Sequence, residues 1–284
     1  MISCATQKIN MGRRWLGVAV YGAVLVTFTS NVHAEEFDVH VNVRAYFESA
    51  YLSSGGSLTY TRPVAEQYAS LTVQSRNYGR LSSSAWICSA LNDQTDHKHR
   101  RAFYIYEGTL LYGYDVKLAE TLKVSTDGGI LWDWYGGYEE KPRTPIAWYA
   151  RQYWHNPWVT PYWIGLGCVT PTTNGRMCFG LRKPFKPADS FTVTPYAETT
   201  WGDVNRFRSN YGKGPDHHFL GGSFMFAVMG VLTEWRFTES CYLWGRYRHY
   251  VLYNKQAREL INARDVPMAK TTYPIFGLGL GCRF

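Results

Sequence analysis

The chain has 284 residues, of which 17% are aromatic and 18% are charged, and its formal net charge at pH 7 is +8. A chain of this length accommodates one large domain or two small ones. The six cysteines are scattered, and no CxxC pair or His/Cys cluster has zinc-ligand spacing, so the sequence predicts neither a disulfide framework nor a metal site, and no motif calls for a cofactor.

Residues 1–34 have the pattern of a secretory signal peptide. Three basic residues and no acidic ones accompany an apolar run from Trp15 to Phe28, and Val32 and Ala34 occupy the positions that a signal peptidase reads. The run is shorter than the roughly 20 residues of a membrane-spanning helix, although an N-terminal anchor is the alternative. We therefore predict export, with residues 35–284 as one mature domain.

The first predicted strand, residues 37–52, alternates between apolar and polar side chains. Its apolar face comprises Val39, Val41, Val43, Ala45 and Phe47. The same period of two recurs in residues 69–74 and 116–125, where Glu120 interrupts the apolar face. Such alternation indicates β-strands with one apolar side, and it is as typical of a soluble sandwich as of a membrane barrel.

The lengths of the connections distinguish these two folds. Turn residues divide the mature chain into predicted strands at 37–52, 63–77, 81–91, 102–113, 115–137, 146–154, 157–169, 175–186, 189–202, 217–232, 236–252 and 272–284. Long and short connections alternate between them, as the external loops and periplasmic turns of outer-membrane barrels do. The chain is therefore predicted to be all-β: a transmembrane, antiparallel, up-and-down β-barrel of about 12 strands with both termini in the periplasm.

The last predicted strand has one apolar face that ends on an aromatic residue. That face comprises Phe276, Leu278, Leu280, Cys282 and Phe284, and glycines at 277, 279 and 281 alternate with it. We interpret the apolar row as a C-terminal assembly signal for the β-barrel assembly machinery. The glycines are expected to face the lumen and to leave room for bulky neighbours such as Trp244, while the last strand pairs with the first.

Several stretches resemble the TorF-type (Gcw_chp-like) outer-membrane β-barrel proteins. The matching positions are Tyr51, Gly55, Pro63 and Trp86, and the later segments "NPWVTPYWIGLG", "FTVTPYAETTWGD" and "FGLGLGCRF" continue the likeness. The resemblance spans most of the mature chain. It implies an outer-membrane barrel in a Gram-negative type of envelope, and it implies no particular activity.

The polar faces of the predicted strands supply candidate lumen-lining residues. These are His40, Arg44, Glu48, Lys117, Lys123, Arg246 and Arg248. Their excess of positive charge predicts a narrow passive channel for small polar or anionic solutes, with Arg44, Arg246 and Arg248 converging over the glycines of the last strand. The alternative is a plugged lumen in which these charges neutralise one another.

Two further functions are open from the sequence. A lipid hydrolase or acyltransferase would need a nucleophile and a base, for which His217-His218 with Ser223, or Ser240 with His249, are candidates, although no GxSxG motif is present. The basic segment 97–101 could serve as a surface for lipopolysaccharide phosphates or glycans. The expected partners are outer-membrane lipids, lipopolysaccharide and the assembly machinery, with no nucleic acid and an unknown small solute.

Overall fold

A computed structural model describes residues 37–52, 58–60, 63–75, 77–91, 104–136, 146–170, 174–203, 222–263 and 271–284. The predicted signal peptide, the basic segment 97–101 and His217-His218 lie outside the described residues. No helix in the described ranges is long and apolar enough to cross a membrane.

The fold is built from long antiparallel strands. They are β1 Phe37–Glu48, β2 Val64–Ser75, β3 Gly79–Ala90, β4 Tyr104–Ala119, β5 Leu122–Gly136, β6 Ile146–His155, β7 Thr160–Thr170, β8 Asn174–Arg182, β9 Phe191–Gly202, β10 Ser223–Arg236, β11 Cys241–Leu252 and β12 Thr272–Arg283. A short strand, Phe185–Ala188, extends β8 along β9. Two short strands, Tyr51–Leu52 and Leu58–Tyr60, pair with each other after β1.

The sheet closes on itself, which confirms the predicted antiparallel barrel of twelve strands. Each strand pairs with its neighbours in the sequence, and β12 pairs with β1 in a register that places Gly277 opposite Glu48 and Leu280 opposite Ala45. Closure leaves no open edge among β1–β12, so the backbone donors of these strands can find partners without water.

Two predicted turns were misplaced. Residues 233–235, which were predicted to connect the tenth and eleventh strands, lie within β10, and residues 237–240 form that connection. The predicted fourth strand ends before Tyr114, but β4 continues to Ala119, and the hairpin turn lies at Glu120 and Thr121. Lys117 and Lys123 therefore face each other across the β4–β5 hairpin. The turn also explains why Glu120 breaks the apolar alternation, because it belongs to neither strand.

The outward positions of the strands form an apolar surface. Phe276, Leu278 and Leu280 are 58%, 57% and 56% exposed, whereas Glu48, at an inward position, is 2% exposed. Among the described outward positions of β1–β12 there is no Asp, Glu, Lys or Arg. Exposed aromatic residues, including Trp158 (84% exposed), gather near the short turns as in the girdles of membrane barrels. The outer face is therefore that of a transmembrane barrel.

The first and last strands meet at the end of the barrel that carries the short connections. Phe37 pairs with Ser75, next to the β2–β3 turn. The backbone N–H of Phe284 donates to the carbonyl of Val41, and the N–H of Val41 donates to the carbonyl of Phe284, both at 2.9 Å. The predicted C-terminal row is thus part of the barrel wall and faces outward.

Two of the scattered cysteines form a disulfide that the sequence analysis did not foresee. Cys241 at the start of β11 is bonded to Cys282 at the end of β12, with their Cα atoms 4.2 Å apart. They are 41 residues apart in the sequence, but the antiparallel register places them directly opposite each other. Only the register between β11 and β12 reveals this pairing.

A helix, α1 (Lys255–Ala263), follows β11 at the end of the barrel with the long connections. Asn254 caps it by accepting a 3.0 Å hydrogen bond from the backbone N–H of Ala257. Ala257 is fully buried in an apolar cluster whose inward members include Phe226, Tyr250 and Ile275. The helix therefore covers part of the lumen above β10–β12.

Candidate functional site in the barrel lumen

A cavity of about 340 Å³ occupies the middle of the lumen. Every strand except β12 contributes a side chain to its wall. The charged lining residues are Glu48, Glu66, Glu107, Glu198, Arg176, Arg246 and Arg248, and the aromatic ones include Tyr46, Tyr68, Trp86 and Tyr149. Charged and aromatic groups from both halves of the barrel thus meet in one space.

The glycines of β12 make room for this arrangement. A Cβ atom at Gly277 would lie 2.9 Å from Oε1 of Glu48 and 3.3 Å from the ring of Trp244. A Cβ atom at Gly279 would overlap Tyr46, and one at Gly281 would overlap Tyr242. The prediction that these glycines face the lumen and accommodate bulky neighbours is in agreement with this packing.

Glu48 is the centre of the ionic contacts on the β1–β11 side. Its side chain is 0% exposed, and it accepts a 2.7 Å hydrogen bond from Nε of Arg246. It also accepts a hydrogen bond from Nη2 of Arg248, and the guanidinium of Arg246 lies 4.9 Å from the ring centroid of Trp244. All three residues line the lumen as the alternation predicted, but they neutralise one another in part.

The expected cluster of three free arginines over the β12 glycines is not formed. Arg246 and Arg248 both bind Glu48, and the guanidinium of Arg44 lies 4.5 Å from the ring centroid of Tyr68 on β2. The prediction was wrong because it considered the strand faces separately. The register through β12 brings a carboxylate between the guanidinium groups.

The wall next to β1, formed by β2–β4, carries carboxylates that were not among the predicted lumen residues. Glu66 on β2 is 4% exposed and accepts a 2.9 Å hydrogen bond from Nε1 of Trp86. Glu107 on β4 lies opposite Trp86 on one side and opposite Asp133 on the other. Continuing the alternation of residues 69–74 back along β2 places Glu66 on the inner face, and the same count within β4 from Lys117 places Glu107 there.

A second charged cluster lies near the short turns. Nε of Arg80 donates to Oδ1 of Asp127 at 2.7 Å, and Nε of Arg151 donates to Oδ2 of the same carboxylate at 2.7 Å. Asp115 forms ion pairs with Arg80 and with Lys123, the latter at 2.6 Å. Inward side chains of the adjacent strands β3–β6 are thereby linked along one side of the lumen, near the short turns.

Four predicted lumen residues do not line the central cavity. Arg44 lies on the inner face of β1, half-buried against the ring of Tyr68. His40, Lys117 and Lys123 occupy inward positions, but all three are exposed where β1, β4 and β5 end at the short connections. Lys123 is 52% exposed and paired with Asp115. Sequence alternation gives the face of a residue correctly but does not give its height in the barrel.

Ser240 and His249, which were candidates for a nucleophile and its base, do not form a catalytic pair. Ser240 lies in the β10–β11 connection, and His249 lies nine residues later on the outward face of β11. At about 3.3 Å per residue of extended strand, their backbones are about 30 Å apart. Ser223 lies at the start of β10, but the two histidines proposed for it are outside the described residues. The described residues contain no group of His, Cys, Asp and Glu arranged to hold a metal ion.

Neither family models nor curated proteins match the chain. Solved structures resemble it at low identity. A KdgM porin in complex with disordered oligogalacturonate matches with 8% identity and a TM-score of 0.44 over 86% of this chain and 99% of that chain. A deletion mutant of the TodX monoaromatic hydrocarbon channel matches with 6% identity and a TM-score of 0.46 over 88% and 90%. The outer membrane phospholipase dimer of Salmonella typhi matches with 10% identity and a TM-score of 0.44 over 89% and 93%. Likenesses this distant transfer no activity, and the barrel architecture rests on the strand pairing.

Proposed function

We propose that this protein is an outer-membrane β-barrel that forms a narrow passive channel for small polar solutes. The observation that carries the proposal is the cavity of about 340 Å³, which is lined by charged and hydrogen-bonding side chains inside a barrel whose outer face carries no Asp, Glu, Lys or Arg among the described strand positions. A polar interior with an apolar exterior is the arrangement by which a barrel conducts water-soluble molecules through lipid.

The charge of the lining favours weak selectivity. Four carboxylates and three guanidinium groups line the cavity, so their formal charges nearly cancel. This lining therefore does not support the predicted preference for anions. We expect small neutral or zwitterionic solutes to pass most readily, with a slight preference for cations over anions among inorganic ions.

The orientation follows from the pattern of the connections. We propose that the short turns and both termini of the mature chain lie on the periplasmic side and that the long connections lie on the cell exterior, where lipopolysaccharide surrounds them. The signal-like residues 1–34 and the apolar row of β12 support export and insertion by the assembly machinery. Membership of the TorF-type family remains a prediction from the residues quoted above.

The channel is tested by recording current through the refolded protein in planar bilayers. We expect discrete conductance steps. In a salt gradient we expect a small reversal potential whose sign shows that cations permeate slightly better than anions. The variant Glu66→Gln/Glu107→Gln should lose that preference, because it removes two lining carboxylates, whereas Glu239→Gln in the exposed β10–β11 connection should not. Anion-selective wild-type protein would contradict the proposed selectivity, and a silent bilayer would contradict the channel.

A plugged barrel is the second candidate, and α1 is the observation that favours it. Ala257 closes an apolar cluster over one side of the lumen. If α1 were a plug, the wild-type protein would be silent and a variant lacking residues 255–263 would conduct. The channel proposal instead expects conductance from both proteins, with larger steps from the variant.

A further inference from the structure

The outer face of β9 carries a row of small side chains. Its outward positions Pro195, Ala197 and Thr199 alternate with lumen-facing residues. Ala197 pairs with Leu181 on β8 and with Met229 on β10, which are 51% and 55% exposed. Because adjacent strands are about 4.8 Å apart, these two large side chains stand about 10 Å apart with only a methyl group between them. The row is therefore the floor of a groove.

Two adjoining hollows of about 620 and 470 Å³ make up this groove and share Leu181, Ala197 and Met229. One extends past Phe179, Thr199 and Ala227, with Trp154 and Trp163 along its border. The other extends past Pro195, Val231 and Tyr247 to Lys183. From Pro195 to Thr199 the floor is about 13 Å long at the usual rise of a strand. Its width and length suit an extended hydrocarbon chain.

A cation stands at the end of the groove nearest the short turns. Lys183 follows β8, and its ammonium donates to the carbonyl of Pro157 in the short β6–β7 connection. An ammonium has three N–H donors, so two are available to a ligand. No ion pair joins Lys183 to a carboxylate of the described residues.

A second polar group lies in the groove wall. His249 on β11 faces outward and lines the same hollow as Lys183. Its Nδ1 is 3.5 Å from the hydroxyl of Tyr247. Among the described outward strand positions it is the one residue of the Asp, Glu, Lys, Arg and His group. Ionisable side chains on lipid-facing surfaces are rare and are functional candidates when they occur.

We propose that this groove binds one phospholipid, with an acyl chain along Pro195, Ala197 and Thr199 and the head-group phosphate on Lys183. An apolar groove that ends at a cation matches an amphiphile with an anionic head group. The membrane around the barrel supplies such phospholipids. The site rests on the proposed membrane orientation only in assigning this lipid to the periplasmic leaflet, where the short turns lie. His249 faces the same groove and can donate a hydrogen bond to an oxygen of the head group or ester.

Native mass spectrometry of the full mature chain in mild detergent, titrated with phosphatidylglycerol, tests the site. We expect the wild-type protein to retain one lipid, and Lys183→Gln to bind it about tenfold more weakly, since a hydrogen bond to a charged group has this effect on Kd. Lys186→Gln removes a nearby exposed lysine and should bind like the wild type. Ala197→Leu fills the floor and should abolish retention, whereas Ala85→Leu, at an outward position of β3, should not.

Equal lipid retention by Ala197→Leu and Ala85→Leu would overturn the site. A dimer of the chain without bound lipid would also overturn it and would assign the groove to a second copy. Heat-modifiable gel mobility checks the folding of each variant, and Lys183→Gln tests the site independently if Ala197→Leu fails to fold. Channel conductance that persists in a protein without lipid retention would refute the site and leave the proposed function standing.

Discussion

The fully buried carboxylate of Glu48 shows what one residue contributes to this lumen. Alternation assigned Arg44 and Glu48 in β1 and Arg246 and Arg248 in β11 to the inner face, and the structure places all four there. Their pairing was not predictable from the sequence, since it depends on the register of β1, β12 and β11 relative to one another. The face of a side chain is a local property, whereas its partner is a property of the closed sheet.

Replacing Glu48 should destabilise the barrel more than replacing any exposed carboxylate. Glu48→Gln leaves the guanidinium groups of Arg246 and Arg248 without their shared counter-ion, which costs about 3 kcal/mol in a buried site. The free energy of unfolding, measured by urea titration in lipid vesicles, should fall by this amount. Asp38→Asn on the same face of β1 is exposed and should change it little. Equal losses in the two variants would contradict the role of Glu48.

A lipid-facing position should respond to charge rather than to size. Leu280 is 56% exposed on the outer face, so Leu280→Arg should cost about 2–4 kcal/mol if the residue lies near the middle of the bilayer. Leu280→Met keeps the side chain apolar and should be close to neutral. The same urea titration measures both. If the arginine variant were as stable as the methionine variant, the assigned outer face would be wrong.

At the scale of the elements, the strands were more predictable than the features between them. Period-two alternation and the contrast of long and short connections gave twelve strands. The β4–β5 turn was misplaced because Tyr114 and Glu120 are both compatible with a turn and only the ladder distinguishes them. Helix α1 was missed because a nine-residue segment within a long polar connection owes its helicity to the Asn254 cap and to the packing of Ala257.

The closing strand β12 should be the element on which insertion depends. Phe284→Asp places a charge at the outward end of β12, beside its hydrogen bonds to Val41, and should block insertion while export continues. Phe237→Asp changes an exposed aromatic residue at the same end of the barrel and should insert normally. Heat-modifiable gel mobility of outer-membrane fractions measures insertion. Normal yield of the Phe284 variant would refute the assembly-signal interpretation.

At the scale of the whole molecule, the barrel brings together residues that no sequence window contains. Glu66, Glu107, Arg176 and Glu198 come from four strands, yet they line a single cavity. The lumen is less positive than predicted, because the predicted lumen residues were chosen mainly among the basic residues of a chain with a net positive charge. Three of the carboxylates that balance them, Glu66, Glu107 and Glu198, were not among the predicted lumen residues.

Solute flux through proteoliposomes tests the proposed channel most directly. Liposomes that contain the refolded protein should swell when diluted into isotonic arabinose, because a small polar sugar fits a lumen with polar walls. They should not swell in isotonic raffinose, which is too large for a cavity of about 340 Å³. Swelling in arabinose at the rate of protein-free liposomes would contradict the channel.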